Sequence, residues 1–152
     1  MMELIFVIVI LGILAGVAIP RLTATREDAI ITKARSDVAS IRSSIKTIRA
    51  RRVLEGNPGY SPSLLDASLT ATNNSAKDSG PLFVGILDYP IQAKNDKNHW
   101  RKIASSRTGV ETYQFQINGS DSVDFDYDPV SGTFDCNHTK QSTKKNCAKL
   151  TE

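Results

Sequence analysis

The sequence lacks the residue patterns on which most enzymes depend. Its two histidines, His99 and His138, have no neighbouring residues that would make either of them a catalytic base. It also has no nucleophile–base pattern, no glycine-rich phosphate-binding loop and no cluster of metal ligands. We therefore predict that the protein is not an enzyme and that it requires no cofactor.

Cysteine is scarce, since Cys136 and Cys147 are the only two in the chain. A metal site would need more ligands close to them, and only His138 is available. A catalytic thiol would need a positioned base. A disulfide that closes a short polar loop fits best, and it predicts an oxidising compartment outside the cytoplasm.

A strong net charge is also absent, because the formal value is only +3. Such a value does not indicate a nucleic-acid partner. The charges are nevertheless uneven, with nine Lys or Arg and three acids in residues 21–52, and five Asp and no base in residues 121–135. These blocks either attract each other between neighbouring subunits or form two separately solvated faces.

The first twenty residues contain no Lys or Arg, and residues 4–19 are an uncharged apolar run, LIFVIVILGILAGVAI. A secretory signal peptide would have basic residues before this run and small residues at a cleavage site after it. Here Glu3 precedes the run and Pro20 follows it, so the run does not fit a signal peptide. As a helix the run would span about 24 Å. That length is marginal for a hydrocarbon core of about 30 Å, although local thinning of the bilayer can accommodate it.

After Pro20 the pattern becomes that of an amphipathic helix with one apolar stripe. No Gly or Pro follows until Gly56, so we predict a single helix from near Met1 to about Arg52, about 75 Å long. Its first half is apolar on all sides and needs a membrane or copies of itself around it. The stripe residues step by three and four: Ile31, Ala34, Val38, Ile41, Ile45 and Ile48.

The remainder of the chain predicts a small sheet. Turn residues at 55–60 end the helix, and a polar connection with a possible short helix at 63–68 follows. Trp100 is predicted to be a core residue. Alternating apolar residues indicate three strands, with turns at Asn118-Gly119 and Ser131-Gly132 between them. The strands are Glu111–Ile117, Ser122–Tyr127 and Thr133–Cys136.

The predicted fold class is therefore α+β, with a long N-terminal helix packed against a small antiparallel sheet. We divide the chain into a hydrophobic helix segment, its amphipathic continuation, a connecting loop, and a head that carries the sheet and the C-terminal cysteine loop. These parts are residues 1–20, 21–53, 54–81 and 82–152.

Residues 3–20, ELIFVIVILGILAGVAIP, resemble the N-terminal segment of type IV pilins and pseudopilins. After leader removal, that family begins with a Phe-Thr-Leu-Ile-Glu-Leu-type sequence, followed by an apolar run containing glycine and by Ala-Ile-Pro. The remainder of the chain resembles the family only in plan. The family's glutamate is the fifth residue of the mature chain whereas Glu3 is the third, so the resemblance implies that two residues and a leader precede this sequence.

The resemblance implies the type IV pilin fold and a homo-oligomeric helical filament. The implied partners are a prepilin peptidase during maturation, which includes N-methylation, the lipid bilayer before assembly, and an inner-membrane platform with its ATPase. The subunit would wait in the bacterial inner membrane with its head outside the cytoplasm. It would then join a surface filament whose core is a bundle of apolar helices.

Four residues of the apolar segment are candidates for assembly: Glu3, Gly12, Gly16 and Pro20. The Glu3 carboxylate beside an apolar run needs a compensating cation, and the resemblance suggests the α-amino group of a neighbouring subunit. Gly12 and Gly16 permit close approach of helices. Because Pro20 lacks an N–H and clashes with the carbonyl of residue 16, we expect a local break or a gentle kink between Gly12 and Pro20.

Asp124, Asp126 and Asp128 alternate along a predicted strand, which allows either a solvated strand face or a calcium site. An EF-hand loop needs glycine at its sixth position, where Pro129 lies. Some pseudopilins hold calcium in a C-terminal loop, so a weak candidate remains. The solvated face is the favoured interpretation.

Asn137-His138-Thr139 matches the sequon for N-glycosylation. Asp135 lies two residues before Asn137, as the extended bacterial sequon requires. Asn137 is therefore a weak candidate for glycosylation.

Three functions remain open. The chain is a pilin of surface filaments for adhesion, motility or DNA uptake, a pseudopilin of a type II secretion or competence system, or a monomeric membrane-anchored binding module. The cysteine loop and the length favour the pilin. A plain anchor needs neither Glu3 nor the spacing of Gly12, Gly16 and Pro20, which argues against the third function.

Overall fold

The fold is α+β, and the computed structural model describes residues 2–59, 65–66, 78–139 and 141–151. A long helix comes first, six strands follow, and a short helix ends the described chain. The predicted helix at 63–68 lies largely outside the described residues. The elements are α1 (Met2–Leu54), β1 (Ser79–Leu82), β2 (Ile91–Lys94), β3 (His99–Ile103), β4 (Glu111–Gln116), β5 (Ser122–Asp128), β6 (Thr133–Cys136) and α2 (Gln141–Thr151).

Helix α1 comprises 53 residues, so it is about 80 Å long. It ends at a glycine, as the turn chemistry of the sequence predicts. Gly56 has a φ of 83°, in the left-handed region that glycine adopts without strain. The N–H of Gly56 bonds to the carbonyl of Val53 and the N–H of Asn57 to that of Arg52, which is the Schellman arrangement for closing a helix.

The six strands form one sheet in the order β1-β2-β3-β4-β5-β6. All neighbouring strands pair antiparallel except β2 and β3, which pair parallel through Ala93 and Trp100. The longest ladder joins β4 and β5, where Tyr113 lies opposite Phe125 and Phe115 lies opposite Val123. The alternation predicted for these two strands therefore places the aromatic residues on one common face.

The hydrophobic core lies between this face of the sheet and α1. Trp100 is fully buried, which confirms its prediction as a core residue, and its ring lies 5.1 Å from that of Phe115. Phe125 and Phe134 stack with their ring centroids 5.2 Å apart. Aromatic pairs at such distances stabilise a core beyond the area they bury. Four of the six stripe residues of α1 are buried in the same cluster: Ala34, Val38, Ile41 and Ile45.

The sequence predicted β4, β5 and β6 to within one residue, but it did not predict β1, β2, β3 or α2. Strand β1 begins at Ser79, inside the predicted connecting loop 54–81. The missed strands have four or five residues with little alternation. Strand β6 is equally short, but the Ser131-Gly132 turn before it marked it in the sequence. Helix α2 is polar in sequence and is held in place by its buried residues Cys147 and Leu150.

Candidate assembly surface

The N-terminal part of α1 extends away from the sheet, and no other described part of the chain packs against it. Every residue from Met2 to Gly16 is exposed, and Leu4 and Leu11 keep 68% and 60% of their surface. Among the side chains of α1 that the structure describes, Ile30 and Ile31 are the first that are partly buried, and they pack at the border of the core. A continuous exposed apolar surface of this kind marks a site of protein–protein or membrane contact.

Glu3 lies in the first turn of α1 and is exposed. The next basic residue in the sequence is Arg21, which is 18 positions further along the same helix. At about 1.5 Å per residue, that separation is about 27 Å. No Lys or Arg side chain of the helix can therefore reach the Glu3 carboxylate.

Gly12 and Gly16 lie on the bare part of α1, and a Cβ added at either position would meet nothing within 4 Å. Nothing in the described single chain therefore requires glycine there. The expected break between Gly12 and Pro20 is not present, because α1 continues through this segment as one helix. Pro20 still removes one backbone hydrogen bond and crowds the carbonyl of residue 16 within this helix.

One residue of each charge block meets within the chain, a contact that neither interpretation of the blocks predicted. Nη2 of Arg42 lies 2.9 Å from Oδ1 of Asp135, and its Nε donates to the carbonyl of Phe134 at 2.9 Å. Arg42 thereby binds the free edge of β6, the last strand of the sheet. Arg35 similarly donates to the carbonyl of Lys149 near the C-terminal end of α2, where a cation is favourable.

Asp37 joins α1 to the centre of the core. Its Oδ2 accepts a hydrogen bond from Nε1 of Trp100 at 2.9 Å. Burial raises the pKa of the Asp37 carboxyl above its ordinary value, against the lowering effects of this hydrogen bond and of Lys33. Lys33 itself donates to the carbonyl of Asn98 at 3.1 Å, so this side of the helix is also bound to the sheet.

The three alternating aspartates of β5 each accept hydrogen bonds from the protein. Asp124 accepts from Gln114, Asp126 from both Thr112 and Asn137, and Asp128 from the backbone N–H of Val130. Among the described residues, no group of three or more His, Cys, Asp or Glu side chains is arranged to hold a metal ion. The three aspartates, the weak candidate for a calcium site, are therefore not arranged as one in the described structure.

Cys136 and Cys147 form the disulfide predicted from the sequence, with their Cα atoms 5.8 Å apart. It joins the end of β6 to α2 and places α2 on the core side of the sheet. The sequon residue Asn137 follows directly. Its Nδ2 donates to Oδ2 of Asp126 at 2.8 Å, and its Oδ1 accepts from the N–H of Thr139 at 2.9 Å.

Sequence reasoning missed a buried ion pair between Nζ of Lys102 and Oε1 of Glu111. The two residues lie on β3 and β4, and each keeps 5% or less of its surface. Glu111 was interpreted only as the start of a strand, and Lys102 was not singled out. A charged residue at an inward position of a strand is the signal that could have found them.

The two tyrosines beside this ion pair have raised pKa values. The pKa of Tyr113 is raised well above its ordinary value, chiefly by burial and then by the nearby carboxylates of Glu111 and Asp66. Burial and the charge of Glu111 also raise the pKa of Tyr127 to about 12. Both hydroxyl groups therefore stay protonated at neutral pH.

No protein-family model, curated protein sequence or solved structure matches this chain. Within the described residues, none of the helices combines the length and apolarity needed to cross a membrane.

Proposed function

We propose that this protein is a structural subunit that polymerises into a helical filament of the type IV pilus kind, through the N-terminal half of α1. The observation that carries the proposal is the bare helix of residues 2–16, whose apolar side chains are exposed on all sides. Burying one such side chain contributes about 1.5–3 kcal/mol. A bundle of identical helices would bury many of them at once.

The other features agree with a subunit that has no catalytic task. The head is fixed to α1 by the core, by Arg42 and by Arg35, so that a force on the helix is transmitted to the sheet. The disulfide suits a head that stands outside the cytoplasm. The resemblance of residues 3–20 to pilins supplies the direction of assembly, with the helices inside and the heads outside.

The proposed life cycle begins in the bacterial inner membrane and ends in an extracellular surface filament. A prepilin peptidase matures the chain, and an ATPase-driven platform then lifts it out of the bilayer. The membrane stage would need local thinning, since the apolar run of residues 4–19 spans about 24 Å.

Glu3 has a specific part in this proposal. In a helix bundle its carboxylate would enter apolar surroundings, where an unpaired charge costs several kcal/mol. The cation it needs is the α-amino group of a neighbouring subunit, because its own helix offers no Lys or Arg within about 27 Å. A subunit inserted at the wrong height leaves the charge unpaired, so the pair would set the register of the filament.

The test compares Glu3→Lys and Glu3→Ala with Glu27→Lys, which changes an exposed acid outside the apolar run. The subunit is quantified in membrane fractions and in sheared surface material, and the filaments are examined by electron microscopy. We expect a stable subunit in all three variants. Filament yield should fall at least tenfold for Glu3→Lys, fall less for Glu3→Ala, and stay normal for Glu27→Lys.

Normal filament yield from Glu3→Lys would contradict the register role of Glu3. Absence of any filament of this subunit from wild-type cells would contradict the proposed function itself. The length of the filaments separates the two related alternatives, because a pseudopilin of a secretion system forms only short periplasmic ones.

A further inference from the structure

The buried pair of Lys102 and Glu111 makes further hydrogen bonds besides the contact between the two charges. Lys102 lies opposite Tyr113 in the β3–β4 ladder, so Glu111 is its diagonal neighbour on the same face of the sheet. Besides contacting Glu111, Nζ of Lys102 donates to the backbone carbonyl of Asp66 at 2.8 Å. This second contact holds the amino group against one oxygen of the carboxylate.

The other oxygen of Glu111 is held by two donors. Oε2 accepts from the backbone N–H of Leu65 and from the hydroxyl of Tyr113, the latter at 3.3 Å. Two donors fixed on one oxygen of a carbonyl group stabilise the negative charge that develops when a nucleophile attacks the carbon. Glu111 is thus polarised on one oxygen while an amine contacts the other.

The surroundings exclude water from this site. Leu65, Tyr113 and Tyr127 are buried, and the ring of Tyr113 lies 5.7 Å from Nζ of Lys102. In such a place two opposite charges are expensive to bury. A covalent bond would remove both charges permanently.

We propose that Lys102 and Glu111 join in an intramolecular isopeptide bond, an amide between Nζ of Lys102 and the side-chain carboxyl carbon of Glu111. The bond depends on the two side chains and their surroundings alone, and it does not rest on the filament function. It is a modification that the chain makes in itself, without an oxidant, a reductant or a separate enzyme.

The step balances as the loss of one water. A proton first passes from the ammonium group of Lys102 to the carboxylate of Glu111, which leaves a neutral amine and a neutral acid. The amine attacks the carboxyl carbon to form the N–C bond, while the electron pair of the carbonyl moves to Oε2. The nitrogen then gives a proton to the hydroxyl on Oε1, the C–O bond breaks, water leaves and the carbonyl forms again.

Proximity lowers the barrier of a reaction that is slow between free molecules. Groups held in contact by a rigid sheet react as if one were present at about 10⁵ M or more. The product would link β3 to β4 at the position where Leu65 and Asp66 of the connecting segment are bound. The head would then contain two covalent cross-links, this bond between β3 and β4 and the disulfide between β6 and α2.

The bond is tested by mass spectrometry of the full-length protein after reduction, denaturation and digestion with trypsin. An isopeptide blocks cleavage after Lys102 and joins residues 102–107 to residues 108–140. We expect this branched peptide, lighter than the sum of its two parts by one water. Finding instead the unlinked peptides 103–107 and 108–140, with no branched species, would overturn the proposal.

Two variants provide the matched comparison in intact-mass measurements. Lys102→Arg keeps the positive charge but removes the amine, so the variant should regain the mass of one water beyond the Lys-to-Arg difference. Lys94→Arg changes a lysine of an exposed ion pair, with Asp96, on β2. That variant should differ from the wild type only by the substituted side chain, and any further difference would count against the assignment to Lys102.

Discussion

Residues 2–16 and residues 30–48 belong to the same helix, α1, yet their side chains have different surroundings. The first segment is exposed on every side, whereas the second buries Ala34, Val38, Ile41 and Ile45 against the head. Both segments contain several isoleucines. The difference shows that hydrophobicity by itself does not place a residue in a core, because a core also needs a complementary surface within the same chain.

The spacing of the apolar residues explains this difference. In residues 30–48 they recur every three or four positions, so they form one stripe that a sheet can cover. In residues 4–19 they occupy all sides of the helix, and a single small head cannot surround them. The uncovered segment is therefore the part of the molecule that would gain most from association with other copies.

Isoleucine-to-alanine substitutions should show the largest difference in stability between the two segments of α1. Ile41→Ala removes a fully buried side chain and should lower the free energy of unfolding of the head by about 4 kcal/mol. Ile8→Ala removes the same atoms from the bare segment, where Ile8 keeps 59% of its surface, and should change that free energy by less than about 0.5 kcal/mol. Urea unfolding in detergent, followed by Trp100 fluorescence, measures both, and equal losses would contradict the division of α1.

Removal of the disulfide should weaken the packed region alone. Cys136→Ser together with Cys147→Ser opens a loop with a sequence separation of 11, and the entropic account predicts a loss of about 3 kcal/mol. The helical content of α1 should not change, because the disulfide joins β6 to α2. Circular dichroism and urea unfolding of the double variant, compared with the wild type before and after reduction, test this. An unchanged unfolding midpoint would contradict it.

The contacts of Arg42 allow a similar test on the polar side of α1. Arg42→Gln removes the ion pair with Asp135 and the hydrogen bond to the carbonyl of Phe134. We expect a loss of about 1–2 kcal/mol, since the pair is partly exposed and solvent screens it. Lys46→Gln, at an exposed position one turn further along α1, should stay within about 0.5 kcal/mol of the wild type. Similar losses of unfolding free energy in both variants would show that the contacts of Arg42 add no stability, and would favour the interpretation of a solvated face.

The smallest expected effect concerns Asp37 and is a dependence on pH. Because burial raises the folded-state pKa of Asp37 above the ordinary value of 3.8, the folded state holds this proton more strongly than the unfolded state. This contribution to stability is present at low pH and is lost as the pH rises through the folded-state pKa. Asp37→Asn should remove that loss, so the variant should gain stability relative to the wild type as the pH increases.

Urea unfolding between acidic and neutral pH measures the difference between the two proteins. Asp28→Asn, at an exposed position of α1, provides the control and should follow the wild-type curve. A variant curve parallel to that of the wild type would contradict the raised pKa of Asp37.

Several features were predictable from local patterns in the sequence. The long helix, its end at Gly56, strands β4 to β6 and the disulfide all depend on neighbouring residues or on a short loop. The core position of Trp100 was predicted as well. Glu3 stands out from its surroundings in the sequence, and its pairing with a neighbouring subunit remains a prediction.

Other features needed the tertiary structure because they join residues distant in sequence. The ion pair of Arg42 with Asp135 links positions 93 apart, and no periodicity of either segment indicates it. The contact of Glu111 with Leu65 spans 46 positions. Strands β1–β3 and helix α2 are too short or too polar to be recognised locally, and they form because long-range pairing and burial stabilise them.

The long helix α1, strands β4 to β6 and the stretch without a polar side could be read from the sequence alone, because those properties follow from side-chain periodicity. Which charges meet follows from the tertiary structure. It placed Lys102 beside Glu111 under buried tyrosines and used the basic face of α1 to bind the head. Charges act over distances set by the folded chain, and their order in the sequence does not contain those distances.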